Sequence, residues 1–294
     1  SKMNRLFTPI FIFIFSFAFA QQPEIFKLKK YEVAQLSDTI QETSALHFFR
    51  GHLLTLNDSG NTPEIFEISK KSGKILNSVK TALTNKDWEA ITSDSLHVFV
   101  GDFGNNRGTR NDLKIYKIPF DGKRITDSVQ TISFYYPEQT DFTSRNTNND
   151  FDAEAMIFLN GKIHLFTKEW VSKKTTHYII NPDLYQNQPA QKVETLPTGY
   201  VVTDASYFRG NLYLVGYTKK TEVFLSIYKE TAPGFFFNEN PRKYYLGTAI
   251  SVGQIEGIAV NEDGIYISGE AFKSPLGKVP QSFYFIPKSA MPTD

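Results

Sequence analysis

The chain has 294 residues, enough for one large all-β domain without requiring a second. Its formal charge of +1 leaves no electrostatic footprint for nucleic acid. There is no cysteine, hence no disulfide framework and no thiolate metal site, and an aromatic content of 15% suits strands.

Residues 3–20 read as a secretory signal peptide. Asn4 and Arg5 give a polar, basic start, residues 6–20 are apolar, and Ala18 and Ala20 place small residues before Gln21. The apolar run of about 15 residues is short of the roughly 20 needed to span a bilayer. The sequence therefore predicts export to the periplasm or beyond, a mature chain starting at Gln21, one domain over 21–294, and no membrane span once the leader is removed.

Residues 26–36 have a strand-like pattern with no obvious repeat of their own. From residue 42 a short pattern recurs, an acid and small residues leading into an apolar strand. It reads Glu42-Thr43-Ser44-Ala45, Asp87-Trp88-Glu89-Ala90, Asp152-Ala153-Glu154-Ala155, Thr203-Asp204-Ala205 and Ile255-Glu256-Gly257. With Glu42, Glu89, Glu154, Asp204 and Glu256 as markers, the spacings are 47, 65, 50 and 52. After each marker a hairpin signal, such as Arg50-Gly51 or Asn160-Gly161, introduces a second strand; a third and a fourth follow. Four short strands per repeat at this period predict an all-β propeller of five blades. The last repeat lacks its fourth strand, and the N-terminal segment 26–36 is expected to supply it and close the ring. Residues 137–151 form an insertion that accounts for the long spacing; a sixth, degenerate blade hidden there is the alternative.

The first strand of a propeller blade lines the channel, and the antiparallel second strand ends beside its start. Two groups of acids are thus expected at one mouth: Glu42, Glu89, Glu154, Asp204 and Glu256 with Asp87 and Asp152 two residues earlier, and Asp58, Asp102 and Glu270 at second-strand ends. Crowded carboxylates either rise in pKa or are neutralised by a cation. Oxygen donors without His or Cys favour a hard ion, Ca²⁺ over Mg²⁺. The other reading is that the acids cap the inner strands by accepting from backbone N–H groups across the channel. Asn57, Asn61, Asn105, Arg107 and Arg110, in the loops that follow the second strands of blades one and two, are candidates for binding a ligand, with Arg145 a further basic residue nearby. Trp88 and Trp170 flank the acidic positions, with packing between blades the plainer reading. Among the five histidines, His47 on the first inner strand is the one placed to matter.

The stretches Leu56-Asn57-Asp58-Ser59-Gly60-Asn61, Asp87-Trp88-Glu89-Ala90-Ile91, Gly101-Asp102-Phe103-Gly104-Asn105-Asn106-Arg107 and Ile255-Glu256-Gly257-Ile258-Ala259 resemble the extracytoplasmic SdiA-regulated propeller family. The resemblance is strong over 42–118 and weaker beyond, where Asp204 replaces Glu and blade four has Tyr217 in place of a second-strand acid. It implies a propeller and a bound calcium, without a settled activity. More distantly the chain is similar to calcium-activated nucleotidases and phytase-type propellers.

Three functions stay open at this level. One is a calcium-binding module for a small molecule or protein at the channel mouth. The second is a calcium-dependent hydrolase of phosphoester, lactone or ester bonds. The third is a purely structural interaction propeller. A monomer is expected. With no Cys and no Gly-x-Ser-x-Gly elbow, nucleophilic catalysis is poorly supported.

Overall fold

The structure is a computed structural model and describes residues 22–291. The expected leader at 3–20 lies outside the described residues. Five antiparallel sheets of four principal strands are arranged as blades around one channel. From the channel outward, blade one is Thr43–Phe49, His52–Asn57, Glu64–Ile68 and Ile75–Lys80. Blade two is Trp88–Ser93, His97–Asp102, Lys114–Pro119 and Gln130–Tyr135. Blade three is Asp152–Leu159, Lys162–Lys168, Thr175–Ile180 and Gln191–Leu196. Blade four is Val201–Phe208, Asn211–Tyr217, Glu222–Lys229 and Arg242–Thr248. Blade five is Gln254–Asn261, Gly264–Glu270 and Ser282–Pro287, completed by the N-terminal strand Glu32–Gln35. Each inner strand packs against the next, and the fifth against the first.

The hairpins joining inner and second strands turn as their sequences require. Arg50-Gly51, Asn160-Gly161 and Arg209-Gly210 all have positive φ, from 45° to 81°. Two consecutive left-handed residues form the type I′ turn whose twist matches the flanking strands. This tight turn is what keeps inner and second strands in register and brings the second-strand end back to the channel mouth.

The N-terminal segment closes the ring on blade five, as expected. Glu32 faces Tyr284 and Gln35 faces Ser282 in the antiparallel ladder. The pairing is shorter than the predicted 26–36, because a 3₁₀ turn, Leu28–Tyr31, interrupts it. Before that turn, Glu24–Ile25 runs parallel to the outer strand of blade four. The chain therefore straddles the seam between blades four and five, with Leu28 fully buried in their shared core. The N-terminal strands cover the edges of Ser282–Pro287 and Arg242–Thr248 and leave only short edges of their own, as propellers do.

The insertion holds no sixth blade. Residues 137–151 carry no strand among the described residues and fold over the mouth instead. Arg145 N donates to Arg107 O and Thr147 N to Asn106 O, both at 2.8 Å. Asn, Thr and Asp satisfy backbone groups locally without a ladder, so such a stretch is stable as a loop. The core between blades is apolar and aromatic. Trp88 is fully buried between blades one and two, its indole N–H on Thr84 O at 3.0 Å, so packing explains it. Among the described residues no helix is long and apolar enough to cross a membrane.

Candidate functional site at the channel mouth

Every inner strand carries a β-bulge near its start. The register shifts lie between Thr43 and Ala45, Trp88 and Ala90, Ala153 and Ala155, Val202 and Asp204, and Ile255 and Gly257. A bulge leaves one residue unpaired and re-aims its side chain. The five bulge residues are Ser44, Glu89, Glu154, Thr203 and Glu256. This corrects the equivalence drawn from the acidic markers: Glu42 stands two residues before the bulge and Asp204 one after it. Ser44 and Thr203 use their hydroxyls to tie blades together, donating to Trp88 O at 3.2 Å and Ile255 O at 2.7 Å.

The mouth is a cavity of about 360 Å³. Six of the ten expected acids line it: Asp58, Asp87, Glu89, Glu154, Glu256 and Glu270. Glu42 stands exposed outside this lining, its carboxylate accepting from Asn61 Nδ2 at 2.6 Å. The other three turn away. Asp102 is fully buried; it accepts from Lys86 N and Asp87 N and pairs with the Arg110 guanidinium at 3.0 Å. By register it matches Asn57, one residue short of Asp58; Phe103 packs in the core, and Gly104 N donates to Asp87 O as Asp58 N donates to Glu42 O. Asp152 accepts from Asn105 N at 2.7 Å and from the Trp170 indole at 3.0 Å. Strict alternation would put Asp87 and Asp152 beside Glu89 and Glu154; Asp87 does line the cavity, whereas Asn105 N and the Trp170 indole hold Asp152 away from it.

Asp204 is the clearest departure. Four blades carry Ala45, Ala90, Ala155 and Gly257 after the bulge, and blade four carries Asp204 in the room these small residues leave. Its Oδ2 accepts from Leu46 N at 3.2 Å and Ile258 N at 2.8 Å, so it reaches blades one and five from blade four. For this acid the capping reading holds. Burial raises its carboxyl well above the usual range.

The expected loop ligands are mostly structural. Asn57 donates to Thr39 O at 2.9 Å, and Asn105 is buried between Phe151 O and Arg110 N. Arg110 is held by Asp102 and Asp112, and Arg145 by Asp141. Arg107 is exposed.

The sequence places Lys168-Glu169 at this second-strand end but gives Lys168 no role, and it is the one cation among the residues lining the mouth. Lys168 ends the second strand of blade three, and its side chain is 3% exposed. It donates to Glu154 Oε1 and, at 3.1 Å, to the Tyr217 hydroxyl. Tyr217 in turn donates to Glu256 Oε1 at 3.3 Å, and Gln254 Nε2 donates to the same oxygen at 2.7 Å. Burial pulls the Lys168 pKa down, but Glu154, Tyr217 and Glu256 hold it well above the ordinary value. A lysine following an apolar strand looks like any strand-end lysine; only its pairing with Asp152, two residues before the bulge, aims it at the axis. Tyr217, Gln254 and Trp170 also line the cavity, joined by Ser44, Ser59, Asn106, Asn146 and Thr147.

The two halves of the mouth therefore differ. Toward blades three, four and five the polar groups form a chain of hydrogen bonds around one ammonium. Toward blades one, two and five stand Asp58, Asp87, Glu89 and Glu270, which form no ion pair with a cation among the described residues. Burial and then the neighbouring acids push Asp58 up to about 7 and Glu270 up to about 8, and put Glu89 well above its ordinary value. Glu256 rises to about 7 through burial, opposed by Lys168. Glu154 Oε2 is buried with no hydrogen-bond partner. Gly104 lies so close that a Cβ would fall 2.3 Å from Asp87 Oδ2 and 2.6 Å from Glu89 Oε1. Only glycine lets the backbone approach these carboxylates. Among the described residues no three His, Asp or Glu side chains already form a ready metal-holding group. The donor set itself, oxygen throughout with an orphaned buried carboxylate oxygen, has the chemistry a hard cation requires.

No family model matches the sequence, and no curated protein does. Solved structures match at low identity. A protein of Thermus thermophilus, provisionally assigned as an oxidoreductase (glucose dehydrogenase), is 12% identical with a TM-score of 0.46 over 86% of this chain and 98% of its own. The tail fibre of a Staphylococcus aureus phage is 10% identical with a TM-score of 0.44; 90% of this chain spans about half, 54%, of the fibre chain. A protein of Bacteroides uniformis, provisionally assigned as a 6-phosphogluconolactonase, is 12% identical with a TM-score of 0.36 over 80% of this chain and 68% of its own. At these values the likeness says nothing of activity, ligand or partner.

Proposed function

We propose that this chain is an exported propeller whose mouth binds a hard divalent cation, calcium foremost, and that it serves as a binding module for a small molecule or protein at that mouth. The observation that carries the reading is the half of the cavity lined by Asp58, Asp87, Glu89 and Glu270, with the unpartnered Glu154 Oε2 beside it. Among the described residues these four carboxylates form no ion pair; Lys168 and Arg110 act on them only from a distance, so they still repel one another, and a bound cation removes that repulsion. These five residues would hold the ion. Bound there, it would supply a fixed positive charge for an anionic group of the ligand; Lys168 keeps Glu154 Oε1 engaged and leaves the other oxygen free. Export rests on the leader pattern at 3–20 and the SdiA-regulated resemblance on the quoted motifs; both belong to this proposal.

The test is metal analysis of the purified protein together with melting curves in calcium and in chelator. A ligand that binds only the folded state adds about 2.7 kcal/mol at 100 times its dissociation constant. Chelation is expected to lower the melting temperature, and Glu89→Gln to diminish the calcium response more than it alters the calcium-free protein. A wild-type melting curve indifferent to calcium overturns the reading.

A further inference from the structure

Between blades three and four a cavity of about 260 Å³ opens beside the mouth and shares two walls with it, Trp170 and Tyr217. Its charge is opposite. Lys173, Lys219 and Lys220 line it, and Glu222 is the one carboxylate, with an oxygen that accepts from Thr218 Oγ1 at 3.3 Å. Lys243 borders the same cleft, its ammonium on Thr198 O at 2.9 Å and 5.3 Å from the Tyr200 ring. Burial lowers its pKa, the reverse of Lys168. Among the described residues none of these four ammonium groups forms an ion pair.

The backbone beneath the cleft is also unusual. Lys173 has φ 55°, in the left-handed region that lysine seldom adopts. It is held there by hydrogen bonds from Lys173 N to Glu169 O at 3.0 Å and from Gly199 N to Lys173 O at 3.1 Å. Asn or Gly would take this conformation at less cost, so a lysine there is a constraint that calls for a use. Lys219 reaches over the rim to Thr147 O at 3.1 Å, with its ammonium 5.7 Å from the Trp170 ring.

Three lysines lining one cleft, with Lys243 at its border, focus a positive potential and attract an anion. We infer that this cleft is an oxyanion site that takes the phosphate or carboxylate group of a small ligand, with Lys173, Lys219, Lys220 and Lys243 as donors. Trp170 and Tyr217 then separate a positive subsite from the acid-lined mouth. The inference stands without a cation in the mouth, and its test is run in chelator so that calcium plays no part.

The intact protein is titrated calorimetrically at low ionic strength with inorganic phosphate, phenyl phosphate and benzoate; the first two against the third distinguish a phosphate from a carboxylate ligand. Saturable binding of at least one probe is expected. It should weaken about tenfold in Lys173→Ala and more in the double variant Lys219→Ala/Lys220→Ala, since a charge-assisted hydrogen bond contributes on that scale. Glu222→Gln should tighten it. The control Lys30→Ala/Lys278→Ala removes two exposed charges that do not line the cleft and should leave binding unchanged. These are surface substitutions, and an unaltered melting curve in each variant verifies the fold. No saturable binding of any probe, or an equal loss in the control, overturns the inference.

Discussion

In one half of the mouth, Glu154 and Glu256 share a buried lysine, a tyrosine and a glutamine; in the other, Asp58, Asp87, Glu89 and Glu270 have only one another and short loop residues. The same scaffold positions both halves, with one bulge per inner strand and one second-strand end per blade. The difference comes from single positions. Where blade three ends its second strand in Lys168, blade one has Asp58 and blade five Glu270. A symmetric ring of sites is thus used asymmetrically: one blade carries a built-in cation, and its neighbours keep their charges for something else. Asp204 crosses the channel below them and caps strands of two other blades, so proximity to the axis does not by itself make an acid part of the mouth.

Removing the built-in cation is the most severe way to break this contrast. Lys168→Ala leaves Glu154 buried and unpaired, a loss of about 3–5 kcal/mol by analogy with other broken buried pairs. Urea denaturation measures it. If the mouth takes calcium, adding calcium to this variant recovers more stability than it adds to the wild type, because Glu154 becomes a free donor.

Asp204 tests the boundary of the mouth. Asp204→Ala leaves two buried N–H groups without an acceptor and is expected to cost about 2–3 kcal/mol. Asp204→Asn retains an acceptor oxygen and should lie close to the wild type. In both variants the calcium response measured by melting should equal that of the wild type; a lost response would return Asp204 to the cation site.

The pH dependence sharpens the contrast further. Asp58, Glu256 and Glu270 are raised to about 7, 7 and 8 in the folded chain, against an unfolded value near 4. Between those values the unfolded chain loses protons that the folded chain keeps, so these groups make stability fall as pH rises from about 4 to about 8. Each contributes a slope of at most about 1.4 kcal/mol per pH unit. Denaturation across this range in chelator should show the decline, Glu270→Gln should make it shallower, and calcium should counter it increasingly toward pH 8.

The smallest expected effect is at the far end of the channel. There His47, Ser93, Phe158, Ser206 and Tyr207 enclose about 100 Å³, with no acid among the lining residues. His47 meets Ser93 Oγ at 2.6 Å, and burial lowers its pKa to about 4. His47→Ala should cost about 1 kcal/mol and leave the calcium and anion responses untouched. An altered calcium response in this variant would show that the two ends are coupled.

The propeller was legible in the chain because each of its determinants is local. The hairpin pairs Arg50-Gly51, Asn160-Gly161 and Arg209-Gly210 can take the left-handed turn wherever they stand, and the repeat period counts the blades. The unfinished last repeat and the unassigned N-terminal strand could be matched by elimination. The concentration of acids at one mouth followed from strand order alone. Which acids share the cavity did not. A β-bulge inserts a residue without a sequence marker, so the frame that aligned Glu42 and Asp204 with Glu89 was off by two residues in blade one and by one in blade four. The partner of Glu154 is Lys168, 14 residues away in a neighbouring strand, and its role depends on a ladder register that only the folded sheet defines. The lysine cleft draws on blades three and four and is brought together by their packing. Local turn and strand chemistry specify the ring, whereas register and inter-blade packing decide which charges meet.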